Sequence, residues 1–355
     1  VLLEPEESPL VILLRRLKKR VAINPEFKWL EDEAVPELLT VNGALTAGDT
    51  TVTVDTPGGS YVRVGTVLVV PATGEQLLVS TATSATAFVV SRGWGSTAAA
   101  TIDNDAELYV IGNANQEGAT RPSIITTQEA SKTNYTQIFR EPIGVTGTED
   151  ASEMYGGKDL AYLRMKHGIE HNKKIEKAFW FGEPKEDTTG THPRRATGGV
   201  NYWISTNRTQ QASLTEAEFE TFLRTGFRYG NKVKFFFAAP ILHSAINSWA
   251  QGKLQMFPKD KTYGIGITRY LSSHGEVNLI YQRLFTETTL YGRRGYLLDL
   301  ENLAYRYLDG RDTKLKTNIQ ANDADSEEDE YITECGLELK LEKTHSCLYD
   351  VAAYT

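Results

Sequence analysis

Cysteine is almost missing from this chain of 355 residues, with only Cys335 and Cys347 present. Two thiols cannot build a disulfide framework or, alone, a four-ligand zinc site. They read as free thiols in a reducing compartment, with one disulfide across a C-terminal hairpin as the alternative. Long apolar runs are also missing. No stretch approaches the roughly 18 apolar residues of a membrane helix, so no membrane span is expected. The short run Leu10 to Leu14 follows Glu4, Glu6 and Glu7 and precedes Arg15, Arg16, Lys18, Lys19 and Arg20. That order inverts the charge pattern of an export signal, and none is expected. The sequons at Asn134 and Asn207 then read as chance matches. Basic charge is in deficit: 38 Lys and Arg stand against 46 Asp and Glu, for a net charge of −8. This disfavours a general nucleic-acid binder, which needs clustered cations to neutralise phosphates. It leaves room for a container whose wall avoids sticking to DNA.

What is present is an ordinary globular composition, 40% hydrophobic and 24% charged, enough chain for about two domains or one with insertions. Residues 1–38 carry charges and four prolines (Pro5, Pro9, Pro25, Pro36) and read as an arm. Leu10 to Arg20 is expected to form one helix with a basic face, either solvated or laid on an acidic neighbour. Residues 39–112 hold no Lys and only Arg63 and Arg92. Short runs such as Thr51 to Val54, Val67 to Val70, Gln76 to Val79, Phe88 to Val90 and Leu108 to Ile111 alternate with turns. This predicts a small all-β module.

Residues 113–156 are polar and extended, and predict a projecting hairpin or loop. Residues 157–182 predict one long helix, with Gly168 as its weak point and Gly182 and Pro184 as its stop. Ser213-Leu214-Thr215-Glu216 reads as a capping box opening a helix to Gly230. A buried strand is expected at Val233 to Ala239, and a helix at Pro240 to Gln251. Paired strands are expected at Tyr263 to Leu271 and Val277 to Leu284. Further strands follow at Gly295 to Leu300 and Leu303 to Leu308. The tail reads as β again, at Leu315 to Ile319, Tyr331 to Leu341 and Thr344 to Val351. The acidic run from Asn322 to Glu330 is expected to be an exposed loop, with a weak cation site as the alternative. The fold class is α+β.

The sharpest chemical motif is His167-Gly168-Ile169-Glu170-His171. Two His at i and i+4 share a helix face and could bind zinc, with Glu170 as base. Gly168 suits a ligand helix poorly, the third ligand is undefined, and the flanking Arg164, Lys166, Lys173, Lys174 and Lys177 repel cations. A polar face of a structural helix is the expectation, with no metal, no cofactor and no catalytic residue. Gly264-Ile265-Gly266 lacks the third glycine of a dinucleotide site. Phe235-Phe236-Phe237 and Phe179-Trp180-Phe181 read as core or interface aromatics.

From about residue 113 onward the sequence resembles the major head proteins of tailed bacteriophages, which share the Hong Kong 97 capsid fold. The resemblance rests on the order and spacing of several stretches: Asn134 to Arg140, Leu163 to Lys177 with Gly182, and Gly198-Gly199-Val200. Tyr263 to Tyr270 with Gly275-Glu276-Val277, Leu297-Leu298-Asp299 and Leu303-Ala304-Tyr305 complete it. Arg92 to Ala98 resembles strand-and-turn signatures of phage structural proteins, although simple subunits of this fold lack such a module. The resemblance implies an N-terminal arm (1–38), an inserted β module (39–112), an extended loop over a neighbour (113–156), a peripheral domain with a spine helix (157–212 and 313–355) and an axial domain (213–312). It implies a non-enzymatic homo-oligomer of hexamers and pentamers in an icosahedral shell, assembled in the host cytoplasm. The implied partners are scaffold, portal and decoration proteins, with DNA enclosed without sequence-specific binding. Contact candidates are Arg15, Arg16, Lys18, Lys19, Tyr135, Phe139 and Arg140. Two other readings stand beside it: a tail or decoration component, suggested by the β module, and a zinc hydrolase using His167, Glu170 and His171.

Overall fold

The computed structural model describes residues 8–152, 159–249, 261–262, 265–266, 268–286 and 291–354. The chain divides into two compact units, Val1–Trp29 with Ser131–Thr355, and Leu30–Ala130. Each unit has its own apolar core.

In the first unit, the helix Pro9–Leu17 opens on proline, where no backbone N–H is needed. It buries Leu10, Val11, Leu13 and Leu14 completely or nearly so. The strand Lys19–Ala22 follows and runs parallel to Leu303–Leu308. The helix stops at Leu17, short of the expected Arg20, and Arg16, Lys19 and Arg20 of the basic run stay exposed while the apolar face is buried. Each buried aliphatic side chain is worth about 1.5–3 kcal/mol, and four of them on one short helix hold it against its own unit. Residues 1–7 of the expected arm lie outside the described residues.

Five strands form one sheet. Lys19–Ala22, Leu303–Leu308, Ser326–Leu339 and Gln137–Thr146 lie in that order, and Lys314–Lys316 also pairs with Ser326–Leu339. Gln137–Thr146 alternates strictly, with Phe139, Glu141, Ile143 and Val145 buried. This places a carboxylate in an otherwise apolar row. The spine helix Asp159–Phe181 packs on this strand. Residues 157–158 of its expected span are outside the described ones. Gly168, its apparent weak point, lies under the Tyr331 ring, where a Cβ would come within 3.3 Å. Gly182 ends the helix where a Cβ would meet the Thr197 carbonyl at 2.3 Å. At Gly182 the obstacle is backbone and only glycine is admitted, whereas at Gly168 a small shift of the Tyr331 ring would accommodate a Cβ.

Six strands form the second sheet, in the order Arg208–Gln210, Ser346–Tyr349, Gly295–Leu298, Val233–Ala238, Glu276–Tyr281, Thr268–Leu271. The chain's tail is therefore shared between both sheets. The helices Glu216–Gly226 and Pro240–Trp249 bury Phe219, Phe222, Leu223, Leu242 and Ile246 in the core cluster that this sheet's Phe236, Leu279 and Leu297 join. The first helix is capped by Thr215 and Glu218, which exchange hydrogen bonds. The expected cap at Ser213 is two residues early, because Ser213–Leu214 forms a strand with Ala353–Tyr354. Ala250 and Gln251 of the second helix, and Tyr263, Gly264 and Ile267 of the next expected strand, fall outside the described residues.

The second unit is a closed barrel. Its strands run Leu38–Thr40, Glu107–Asn113, Thr66–Val69, Gln76–Ala82, Ala87–Ser91, Thr51–Thr53. The ring closes where Asn42 N–H donates to the Thr53 carbonyl (2.9 Å) and Asp55 N–H to the Thr40 carbonyl (3.0 Å). Closure removes the exposed strand edges that would otherwise template aggregation. Leu39, Val52, Leu68, Leu77, Phe88 and Leu108 fill the interior. Arg92 ties the barrel's end together. Its Nε and Nη2 fork onto the two Glu75 oxygens at 2.8 and 2.9 Å, and the other N–H groups reach the carbonyls of Thr46, Asp49 and Ala100.

Residues 113–156 are not one projecting loop. Ala130–Tyr135 pairs with Glu26–Glu31, Gln137–Thr146 belongs to the five-stranded sheet, and Gly147–Ala151 is a short helix. The apolar alternation from Phe139 to Val145 demands a covered face. The acidic run is likewise reassigned in part. Asp329 and Glu330 lie inside the strand Ser326–Leu339 and are buried, held by Arg164 (2.5 Å to Asp329) and by Arg140. Arginines supply the charge that a cation would have supplied.

Candidate functional site

The His167-Glu170-His171 motif does not converge. His167 Nδ1 lies 3.2 Å from Glu141 Oε1 and 3.6 Å from Glu170 Oε2. His171 turns to Thr333, with Nε2 2.7 Å from Oγ1, and stacks beside Tyr331. Burial lowers the His171 pKa to about 4, aided by the nearby Arg15 charge. At neutral pH its ring is neutral and structural. Burial works against the Glu141 charge, but hydrogen bonds from Lys174 and His167 prevail and hold the carboxyl below its usual range. A shallow depression of about 210 Å³, lined by residues including Thr209, Ala217, Glu218 and Thr221, brings no cysteine or histidine to its wall.

The residues expected to touch neighbouring copies are mostly engaged within the chain. Arg15 donates to Asn172 (2.9 Å), Tyr305 (3.3 Å) and Thr313 (3.0 Å). Lys19 binds Asp312 and lies over the Tyr307 ring. Arg140 forks onto Glu330, and Phe139 is core. Tyr135 and Lys18 are half-buried, and Arg16 is exposed. The outward row of the same strand leaves Ile138 half exposed.

Three polar anchors escaped the sequence reading. Glu176 is fully buried in the spine helix. It accepts the N–H groups of Leu10 (3.1 Å) and Val11 (2.8 Å), the Trp180 indole N–H (2.9 Å) and a Gln282 amide N–H (2.7 Å). It thus caps the first turn of Pro9–Leu17, which Ser8 leaves uncapped. Burial raises its pKa to about 7 against those hydrogen bonds. Lys234, in a strand of aromatic core residues, donates to the carbonyls of Thr344, Gly226 and Tyr229 at 2.5, 2.6 and 2.7 Å. Burial lowers its pKa to about 8, while the Asp299 charge opposes the shift. Asn134 is wholly buried and joins Gly198 and Leu337, donating to both carbonyls and accepting the Gly198 N–H. That closes the Asn134 sequon to modification in the folded chain. Only fold geometry exposes such residues, although polar singletons inside apolar runs are a weak sign of them. The two cysteines are buried and free, their thiols pushed up to about 12 and about 11 by burial.

A helical spine laid across one sheet, a second mixed sheet with its own helices, and paired strands leading to an inserted barrel define a class. Cyanophage A-1(L), in the structure of its capsid asymmetric unit, has the same fold: TM-score 0.53 and 11% identity, covering 98% of this chain and 93% of that one. The architecture is the Hong Kong 97-type capsid fold. The chain belongs to the SU10 major capsid protein family, whose model matches residues 1–352. The major capsid protein of Pseudomonas phage PaMx41 is 23% identical over 291 residues, 78% of this chain and 69% of that protein. That of Escherichia phage Phieco32 is 30% identical over 95 residues, about a quarter of each chain. The protein is a phage major capsid protein, a building block of the capsid shell. No described helix is long and apolar enough to cross a membrane.

Proposed function

We propose that copies of this chain close into an icosahedral head around double-stranded DNA, as hexamers and pentamers, with no catalytic step of their own. The family match along almost the whole chain carries this reading. Residues 157–212 and 313–355 serve as the peripheral domain and 213–312 as the axial domain, except that Arg208–Gln210 and Ser346–Tyr349 join the axial sheet and Leu303–Leu308 lies in the peripheral one. The extended loop is redrawn. The paired strands Glu26–Glu31 and Ala130–Tyr135 form its stalk, and the barrel is inserted between them in sequence. Arg16, Lys18 and Tyr135 remain contact candidates, now joined by Ile138. Scaffold, portal and decoration proteins are the expected partners, the virion is the destination and the host cytoplasm the place of assembly.

Shells need only modest individual contacts, because closure makes each subunit's attachment multivalent. Purified protein examined by light scattering and negative-stain microscopy is expected to yield rings or closed shells. Persistent monomers at high concentration, with or without scaffold, would overturn the proposal.

A further inference from the structure

We propose that Glu141, His167 and Glu170 bind one borderline divalent metal ion of the zinc class, which fastens the spine helix to the strand Gln137–Thr146. One ligand atom from each residue lies within 4.8 Å of the others. The observed spacings of 3.2 Å and 3.6 Å bracket the roughly 3.3 Å between ligand atoms in a tetrahedron with bonds of about 2.0–2.1 Å. One imidazole nitrogen and two carboxylate oxygens select zinc or a similar ion over magnesium or calcium, which prefer oxygen alone.

The donors are placed in different ways. Glu141 is fixed by its strand in the buried row. Lys174 occupies its Oε2 and leaves Oε1 facing His167. Lys174 therefore orients the carboxylate from behind, as outer partners of metal ligands do. Glu170 sits one turn from His167, and its side chain is 41% exposed, so it can swing in to close the site. Among the groups in direct contact, two carboxylates and the Lys174 ammonium leave a net charge of −1, and the flanking Arg164 is taken up by Asp329. A second observation points the same way. His171, on the same helix face, is 1% exposed and its Nδ1 has no hydrogen-bond partner. A buried unpartnered nitrogen calls for a water or an ion nearby, and the fourth position of a three-ligand zinc ion carries water.

This proposal is independent of shell formation. Its test is zinc titration of the chelator-treated, full-length chain by calorimetry, with cobalt absorption as the spectroscopic check. One ion per chain is expected, with proton release as the metal displaces protons from its ligands. His167→Gln and Glu170→Gln should each weaken binding by about tenfold or more. Glu183→Gln, outside the cluster, should not. Thermal unfolding of the metal-free variants verifies that they fold, and the two partly exposed positions keep the test open if Glu141→Gln does not. No uptake by the wild type overturns the proposal. So does uptake unchanged in both variants, which would mean an adventitious ion only.

Discussion

At position 176 a carboxylate is enclosed by four N–H donors and no water-facing surface. Its pKa of about 7 in the fold lies above the ordinary 4.5. The sign follows from linkage. The folded state holds the proton more tightly than the unfolded chain. The contribution to stability is thus complete below pH 4.5 and is lost as pH rises through about 7. Its size is on the order of 3 kcal/mol at about 1.4 kcal/mol per unit. The buried His171 and His345, each lowered to about 4 by burial, tilt the other way, losing stability as pH falls below 6.5. The difference between wild type and Glu176→Gln separates the two trends. Gln offers one acceptor where the pocket presents four donors, so the variant should be less stable by about 1–3 kcal/mol at pH 5. The gap should narrow toward pH 8. Urea unfolding midpoints at four or five pH values would show it, and a constant gap would refute the assignment.

Elements, rather than residues, decide what the sequence could reveal. The barrel strands were legible because Val, Leu and Phe alternate with polar residues between Gly and Pro turns. Barrel closure was not, since it depends on two backbone hydrogen bonds between residues 40–42 and 53–55. The spine helix was legible by length and composition, yet its apolar spacing is imperfect. The structure supplies the reason: its C-terminal half buries Ile175, Phe179 and Trp180, while its N-terminal half faces Glu141, Tyr331 and Thr333 through His167, Gly168 and His171. The arm helix was legible only in part. Five nearby cations suggested a surface, but its first turn is buried on Glu176. At the candidate metal site, His167 and Glu170 were visible as a motif, whereas Glu141 lies 26 residues upstream and only strand register brings it close.

Arg92 offers a test at this scale. It uses all five of its N–H groups, two on the buried Glu75 and three on carbonyls. Lysine has three donors and no fork. Arg92→Lys should therefore destabilise the barrel by about 2–4 kcal/mol, since a buried carboxylate is left partly unpaired. The loss should appear in thermal unfolding. Wild-type stability in this variant would show that the fork is dispensable.

Over the whole molecule, charge and core are both segregated. Residues 30–130 carry twelve acidic and three basic side chains, a net of −9, which leaves the remainder of this −8 chain at +1. The barrel core draws only on residues 39–110, and the other core clusters include none of 30–130. A unit with its own core folds by burying its own apolar surface, so removing the barrel should not unmake the rest. A chain in which residues 34–125 are replaced by a short Gly/Ser turn keeps the strands Glu26–Glu31 and Ala130–Tyr135 and every core residue of the first unit. It should unfold cooperatively, with a midpoint within a few degrees of the parent's corresponding transition. It should also bind DNA more readily at low salt, because the removed stretch holds eight acidic and three basic side chains and its loss brings the net charge from −8 to −3. Calorimetry and a salt-dependent DNA retention assay measure the two effects. A broad, non-cooperative transition in the shortened chain would show that the first unit depends on the barrel for its fold. Unchanged DNA retention would remove the electrostatic role given to the barrel's acidic surface.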